Sequence, residues 1–213
     1  MASTRRVGAE TSKTRDLLLD CVERLMLDTG YAGVSYRAVA AKAGVTAGLV
    51  QYYFPTLDDL FVAAIRRRSE QNIERLTAAL RDNADQPLRV LWEYSREEST
   101  SALTTEFLAL GNHRKSIGST ITEVTEQVRR LQLDTLEATF GKTGIPMPDL
   151  SPSALLFVLT GIPKLIRLEK GVGVSAGHAD VVKSFERYLE SVEPSARPTR
   201  PRSLAKRSKK QPT

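Results

Sequence analysis

From Ser12 the apolar positions Leu17, Leu18, Cys21, Val22, Leu25 and Met26 recur three and four residues apart, which gathers them on one face of a helix. Gly30 follows, in the place where glycine commonly ends a helix. Ser35 precedes a short run, residues 36–43, with Val39, Ala40 and Ala43 on one side, and its hydroxyl suits an N-cap. After Gly44, Thr46 opens a second short helix that runs to about Phe54 and stops at Pro55. Thr56 caps a long helix over 56–80, with Asp58 and Asp59 in the first turn, where the helix dipole favours carboxylates. Further helices are predicted over about 87–102, 104–112, 117–140, 152–170 and 177–192. Breaks fall at 83–87, in the proline-bearing stretch 141–152 and at 171–177. No strand-like alternation of useful length interrupts this pattern, and no repeat. The predicted class is all-α.

This order divides the chain into a disordered arm over 1–11, a three-helix head over 12–55, the connecting helix 56–80, a helical body over 81–193 and a tail over 194–213. The two short helices meet at Ala43-Gly44-Val45, where glycine permits the tight angle of a helix-turn-helix. Three helices of this size are too few to make a stable domain unaided. Val39, Ala40, Val45, Val50 and Phe54 would face inward on the first helix. That leaves Thr46, Ala47, Gly48 and Leu49 on the outer surface of the second short helix, together with Gln51, Tyr52 and Tyr53.

Such a surface fits a duplex major groove. Small Ala47 and Gly48 allow close approach to base edges, Gln51 can bond an adenine in bidentate fashion, and Leu49 and the tyrosine rings can pack on thymine methyls. Ser35, Thr46 and the tyrosine hydroxyls, Tyr36 included, can donate to phosphate oxygens, and Arg37 can reach the same backbone or pair with an acid at the surface. Arg66, Arg67 and Arg68 read as a solvated face of the long helix.

Charge placement adds to this picture. Of the net charge of +6, the tail 194–213 carries +7 and residues 1–15 carry +3, which leaves the remainder at −4. A basic tail on a mildly acidic body suits sequence-blind phosphate attraction, or is simply a solvated appendage. That also keeps open a sequence-nonspecific architectural DNA-binding protein as the alternative to a specific regulator. The single cysteine, Cys21, sits at a core position and excludes a disulfide within the chain and a thiolate cluster. With His113 and His178 far apart, no metal and no cofactor is expected, and His178 reads as a surface residue. Glycine-rich phosphate loops and nucleophile–histidine arrangements are absent, and Glu97 and Glu98 diverge on a helix, so no enzyme is expected. The N-terminal residues lack an apolar signal core, and the longest apolar stretch, 154–162, is too short to span a bilayer. The expected compartment is the cytoplasm.

The run from Val34 to Leu60, VSYRAVAAKAGVTAGLVQYYFPTLDDL, resembles the signature of the tetracycline-repressor (TetR) family. The resemblance covers residues 12 to about 65, and beyond that it extends only to helical pattern and length. It implies a repressor that binds a palindromic operator as a two-fold dimer and is released by a small effector held in the helical body. Two residues depart from the family's habit. Gln51 stands where a tyrosine is common, and Leu57 where a lysine is usual.

In the body, the segments 103–110 and 155–168 are poor in acids and rich in aliphatic residues, which suits a cavity for a largely apolar effector. Trp92 and Phe107 are its candidate walls, or simply core, and Asn112, His113 and Thr160 its candidate polar groups. The helix 152–170 is apolar on nearly every side, and 177–192 carries a continuous stripe. Leu155, Val158, Ile162, Phe185 and Leu189 are therefore expected at a homodimer interface.

Overall fold

The computed structural model describes residues 3–141, 144 and 150–194, with the backbone alone at 3–12 and 98–101. Nine α-helices follow one another: α1 (Ser3–Thr29), α2 (Tyr36–Ala43), α3 (Ala47–Tyr53), α4 (Leu57–Asp82), α5 (Pro87–Arg96), α6 (Glu98–His113), α7 (Lys115–Phe140), α8 (Pro152–Gly171) and α9 (His178–Val192). A short 3-10 turn, Tyr31–Gly33, joins α1 to α2. No strand occurs among the described residues. The all-α expectation holds.

Local signals set the boundaries around the head. Gly30 and Gly44 take φ of 73° and 69°, the left-handed region that a side chain disfavours, and each ends a helix there. The hydroxyls of Ser35 and Thr46 accept from the backbone N–H of Ala38 and Leu49. Thr56 and Asp59 form a reciprocal capping box at the start of α4. At the other end of α1 the structure corrects the sequence. Residues 3–11, expected as a disordered arm, continue the helix, because no proline intervenes to remove a backbone donor. The arm's Met1 and Ala2, and the basic tail beyond Pro194, lie outside the described residues.

Two apolar clusters hold the helices together. The first contains Leu18, Met26, Val39, Val50, Phe54 and Phe61 from α1–α4, and it is completed by Leu103, Phe107, Leu110, Ile117 and Ile121 from α6 and α7. The head thus has no separate core. Its helices are stabilised by burying their apolar faces on the body. The second cluster, with Leu76, Leu88, Trp92, Leu136, Leu155 and Leu189, lies within the body.

One buried carboxylate ties the end of α9 to the start of α5. Glu193 accepts from the backbone N–H groups of Leu88 (2.9 Å) and Arg89 (2.8 Å), where Gln86 supplies no side-chain cap. Burial pushes the Glu193 carboxyl above its usual range, against the lowering effect of those N–H donors. Replacing Glu193 with alanine leaves two first-turn donors, one buried and one half-buried, without this acceptor. We expect a loss of about 2–3 kcal/mol, or a Tm lower by about 5–10 °C for a chain of this size. Glu193→Gln, which keeps an acceptor, should lose less. Thermal melts of the three proteins check this, and equal Tm values would show that the cap contributes nothing.

Candidate nucleic-acid interface and effector cavity

The helix-turn-helix is built by packing α2 and α3 inward and leaving one face of α3 to solvent. Val39, Ala40, Val50 and Phe54 are buried, and Val45 is half-buried against them. Thr46, Gly48, Gln51 and Tyr52 are exposed, with Tyr52 at 78% the most open of the large residues on this face. Ala47, Leu49 and Tyr53 are half-buried, and the Tyr52 and Tyr53 rings meet edge-to-face at 5.5 Å. The capping hydroxyls of Ser35 and Thr46 use their oxygens as acceptors, so each retains a proton to donate outward. Arg37 is exposed beside them on α2.

Tyr36 has a second task. Its hydroxyl donates to the Phe54 carbonyl (2.9 Å) and its ring packs on the head cluster, which pins α2 to the end of α3. The guanidinium of Arg15 lies 5.3 Å over the Phe54 ring and brings an α1 cation to the same end. Leu57 packs half-buried on the head cluster, so this position contributes burial in place of the usual cation.

Arg66, Arg67 and Arg68 do not form one solvated face. Arg66 pairs with Glu123 of α7, and Arg67 bonds Asp20, Glu23 and the Asp16 carbonyl of α1. Arg68 lines a cavity in the body. Consecutive helix positions point about 100° apart, so three adjacent arginines reach three different neighbours.

That cavity has a volume of about 140 Å³ and lies among α4, α5, α6, α7 and α8. Of the candidate pocket residues, Phe107 and Thr160 line it. Trp92, Asn112 and His113 do not. Trp92 is buried in the body core, stacked 4.9 Å from Phe185, and borders a separate cleft of about 620 Å³ next to Pro163 and Arg167. Asn112 and His113 are exposed, and His113 stacks on Tyr31 of the head at 5.7 Å.

His113 belongs to a junction that sequence reasoning missed. Asp58, in the first turn of α4, accepts from Arg114 (2.6 Å) and from the Ser116 hydroxyl at the α6–α7 corner. The hydrogen bond from Ser116, then that from Arg114, holds the Asp58 carboxyl below its usual range. Arg114 also lies over the Phe61 ring, and the Tyr31 N–H donates to Glu106 of α6 (3.0 Å). Asp58 and Arg114 are 56 positions apart, and no local pattern announces such a pair.

The expected dimer contacts also change. Leu155 and Leu189 are fully buried within the protomer, and Phe185 stacks on its own Trp92. Val158 and Ile162 are half-buried. The large apolar side chains left open on α8 are Phe157, Leu165 and Leu168, at 63%, 56% and 53% exposure. His178 is buried rather than at the surface, and its ring pairs with Glu169 to fasten the start of α9 to the end of α8. Cys21 is a core residue whose thiol burial pushes up, away from reactivity. No described helix is long and apolar enough to cross a membrane, and no group of metal-ligating residues gathers among the described residues.

Comparison with known proteins places this geometry. Residues 18–64 match the family model for bacterial regulatory proteins of the tetR family. A transcriptional repressor, BepR of Brucella suis, is 31% identical over 87 residues, 41% of this chain and 42% of that protein. The chain spans 42% to 55% of the length of the curated relatives it matches. A transcriptional regulator from Saccharomonospora viridis, solved in complex with choline, shares the fold over 84% of this chain and 96% of its own, with TM-score 0.70 and 16% identity. The multidrug binding protein EbrR, solved with imidazole, is 27% identical with TM-score 0.57 over 85% of this chain and 96% of its own. Residues 18–64 thus match the tetR family of bacterial regulatory proteins, and the helical fold beyond them is shared with the solved structures.

Proposed function

We propose that this protein is a transcriptional repressor that binds a (pseudo)palindromic operator as a homodimer and is released by a small effector held in the helical body. The observation that carries the reading is the outer face of α3, where Thr46, Gly48, Gln51 and Tyr52 stand exposed with no charge among them. A solvated face would carry Lys or Glu. Exposed glutamine and tyrosine beside two glycine- and alanine-thinned positions fit base edges and thymine methyls, and the free protons of Ser35 and Thr46 fit phosphates.

A path of contacts from the cavity to the head supports this reading. Phe107 and Ile121 line the cavity and are also members of the head cluster. A ligand that displaces them moves the surface on which α1–α3 rest, and the Asp58–Arg114–Ser116 junction fixes the head to the same corner. Two recognition helices fit successive major grooves only when roughly 34–36 Å apart, or a near multiple. A ligand that favours another spacing lowers operator affinity, by the same factor that operator lowers ligand affinity.

The test is selection of bound duplexes from a random pool with wild-type protein and Gln51→Ala. Wild type should return a palindromic motif. Gln51→Ala should relax one position in each half-site, by about 1–3 kcal/mol. A pool with no enriched motif would overturn specific recognition and leave a sequence-blind DNA binder.

A further inference from the structure

Several cations of the head and its junction are met by carboxylates. Lys42 pairs with Asp28, Arg67 with Asp20 and Glu23, and Arg114 with Asp58. Arg15 of α1 is held in another way. It is exposed, and its guanidinium lies 5.3 Å over the ring of Phe54, a residue that is itself only 2% exposed. A ring face attracts the charge of the guanidinium as a whole, so the contact does not require the N–H donors with which arginine binds oxyanions. The buried ring fixes where the cation stands, and the exposed side chain meets solvent on its other side.

The place where Arg15 stands is what gives it meaning. The Tyr36 hydroxyl donates to the Phe54 carbonyl, which brings the start of α2, with exposed Ser35 and Arg37, to the same corner. Thr46 caps α3 at its other end, and Phe54 closes it. At a rise of about 1.5 Å per residue the two caps are roughly 12 Å apart, close to the width of about 12 Å of a B-DNA major groove. A helix that sets Gly48 near the base edges therefore carries its Phe54 end to the border of the groove, where the phosphates are.

We infer that Arg15 is a phosphate anchor. Preset by Phe54, it binds the DNA backbone at the C-terminal end of α3, while the Thr46 hydroxyl donates to the backbone at the opposite end. This rests on the reading of α3 as the helix that enters the groove, and it adds to that reading a contact from outside α2 and α3. A cation on a phosphate gives affinity and register without reading a base. Were Arg15 only a cover for the Phe54 ring, removing it would lower stability and leave the salt dependence of DNA binding as it was.

The experiment measures DNA affinity of the full-length protein by fluorescence anisotropy across about 50 to 300 mM salt. Two duplexes are used, the operator enriched from the random pool and a mixed-sequence duplex of equal length. Arg15→Gln should weaken binding to both by about tenfold for each subunit engaged. It should flatten the slope of log affinity against log salt by about 0.9 for each subunit and leave the enriched motif unchanged. Arg15→Lys, which keeps the charge, should recover the slope. Tm of Arg15→Gln should stay within about 4 °C of wild type, the range set by one exposed contact between a cation and a ring. A slope that Arg15→Gln leaves unaltered overturns the anchor, as does a changed motif, or a slope that Arg15→Lys fails to restore. A larger fall in Tm with the slope intact makes Arg15 a packing residue and overturns it too. Wild type that binds neither duplex removes the regulator reading itself, whereas wild-type binding that Arg15→Gln matches removes the anchor alone.

Discussion

Gly48→Glu is expected to abolish operator binding in a protein that is at least as stable as wild type. Gly48 is the second residue of α3, it is exposed, and a Cβ built there meets nothing within 4 Å. Its φ is not in the left-handed region, so a side chain brings no backbone strain. Replacing glycine inside a helix gains about 0.5–1 kcal/mol of helix propensity, and a carboxylate in the first turn faces the positive end of the dipole. Nothing in the fold therefore asks for glycine. The proposed function does, because this position lies at the end of α3 that enters the groove, where a glutamate would clash with base edges and repel phosphates. Operator affinity should fall by roughly 100-fold or more, to the non-specific level, while Tm holds or rises. Fluorescence anisotropy with a selected operator, run beside a thermal melt, separates the two effects. Undiminished affinity would place the DNA contact elsewhere.

The same contrast between local and distant causes explains what could be read from the sequence. Ser35, Thr46 and Thr56 cap their helices through partners three residues away, so residue type and spacing suffice to find them. Gly44 is legible for the same reason, since its φ of 69° is a local demand. The inward set Val39, Ala40, Val50 and Phe54 follows from helical period alone. Periodicity fails where it must choose between two partners. An α8 helix that is apolar nearly all round says that every side is covered, but not which side its own protomer takes. Leu155, Leu156 and Leu159 went inward, and Phe157 and Leu165 stayed open. Charge is harder still. Arg68 in a run of three arginines carries no mark that distinguishes it from Arg66, and Lys164 looks like the end of an apolar stretch rather than part of a cavity. Both meanings come from residues on other helices. Asp58, His178 and Glu193 belong with them, since each is defined by a partner on another helix.

Leu165→Glu should convert the protein to a folded monomer and lower operator affinity by about 100- to 1,000-fold, the scale on which two linked half-sites exceed one. Phe157, Leu165 and Leu168 lie on α8 with more than half of each side chain open. Three large apolar residues on one helix are a patch that an isolated subunit has no reason to keep. A two-fold interface meets each residue twice, so one substitution places two carboxylates in the contact, and burying them unpaired is prohibitive. In the protomer the same glutamate stays in water, so Tm of the dissociated chain should change by no more than about 1 kcal/mol of stability allows. Leu189→Glu is the control that distinguishes interface from core. Leu189 is fully buried within the protomer, and a charge there should unfold the chain rather than split a dimer. Light scattering at micromolar concentration reads the outcome, with circular dichroism to confirm the fold. A dimer that survives Leu165→Glu would move the interface off this face of α8, and a wild-type monomer would remove the two-subunit reading of operator binding altogether.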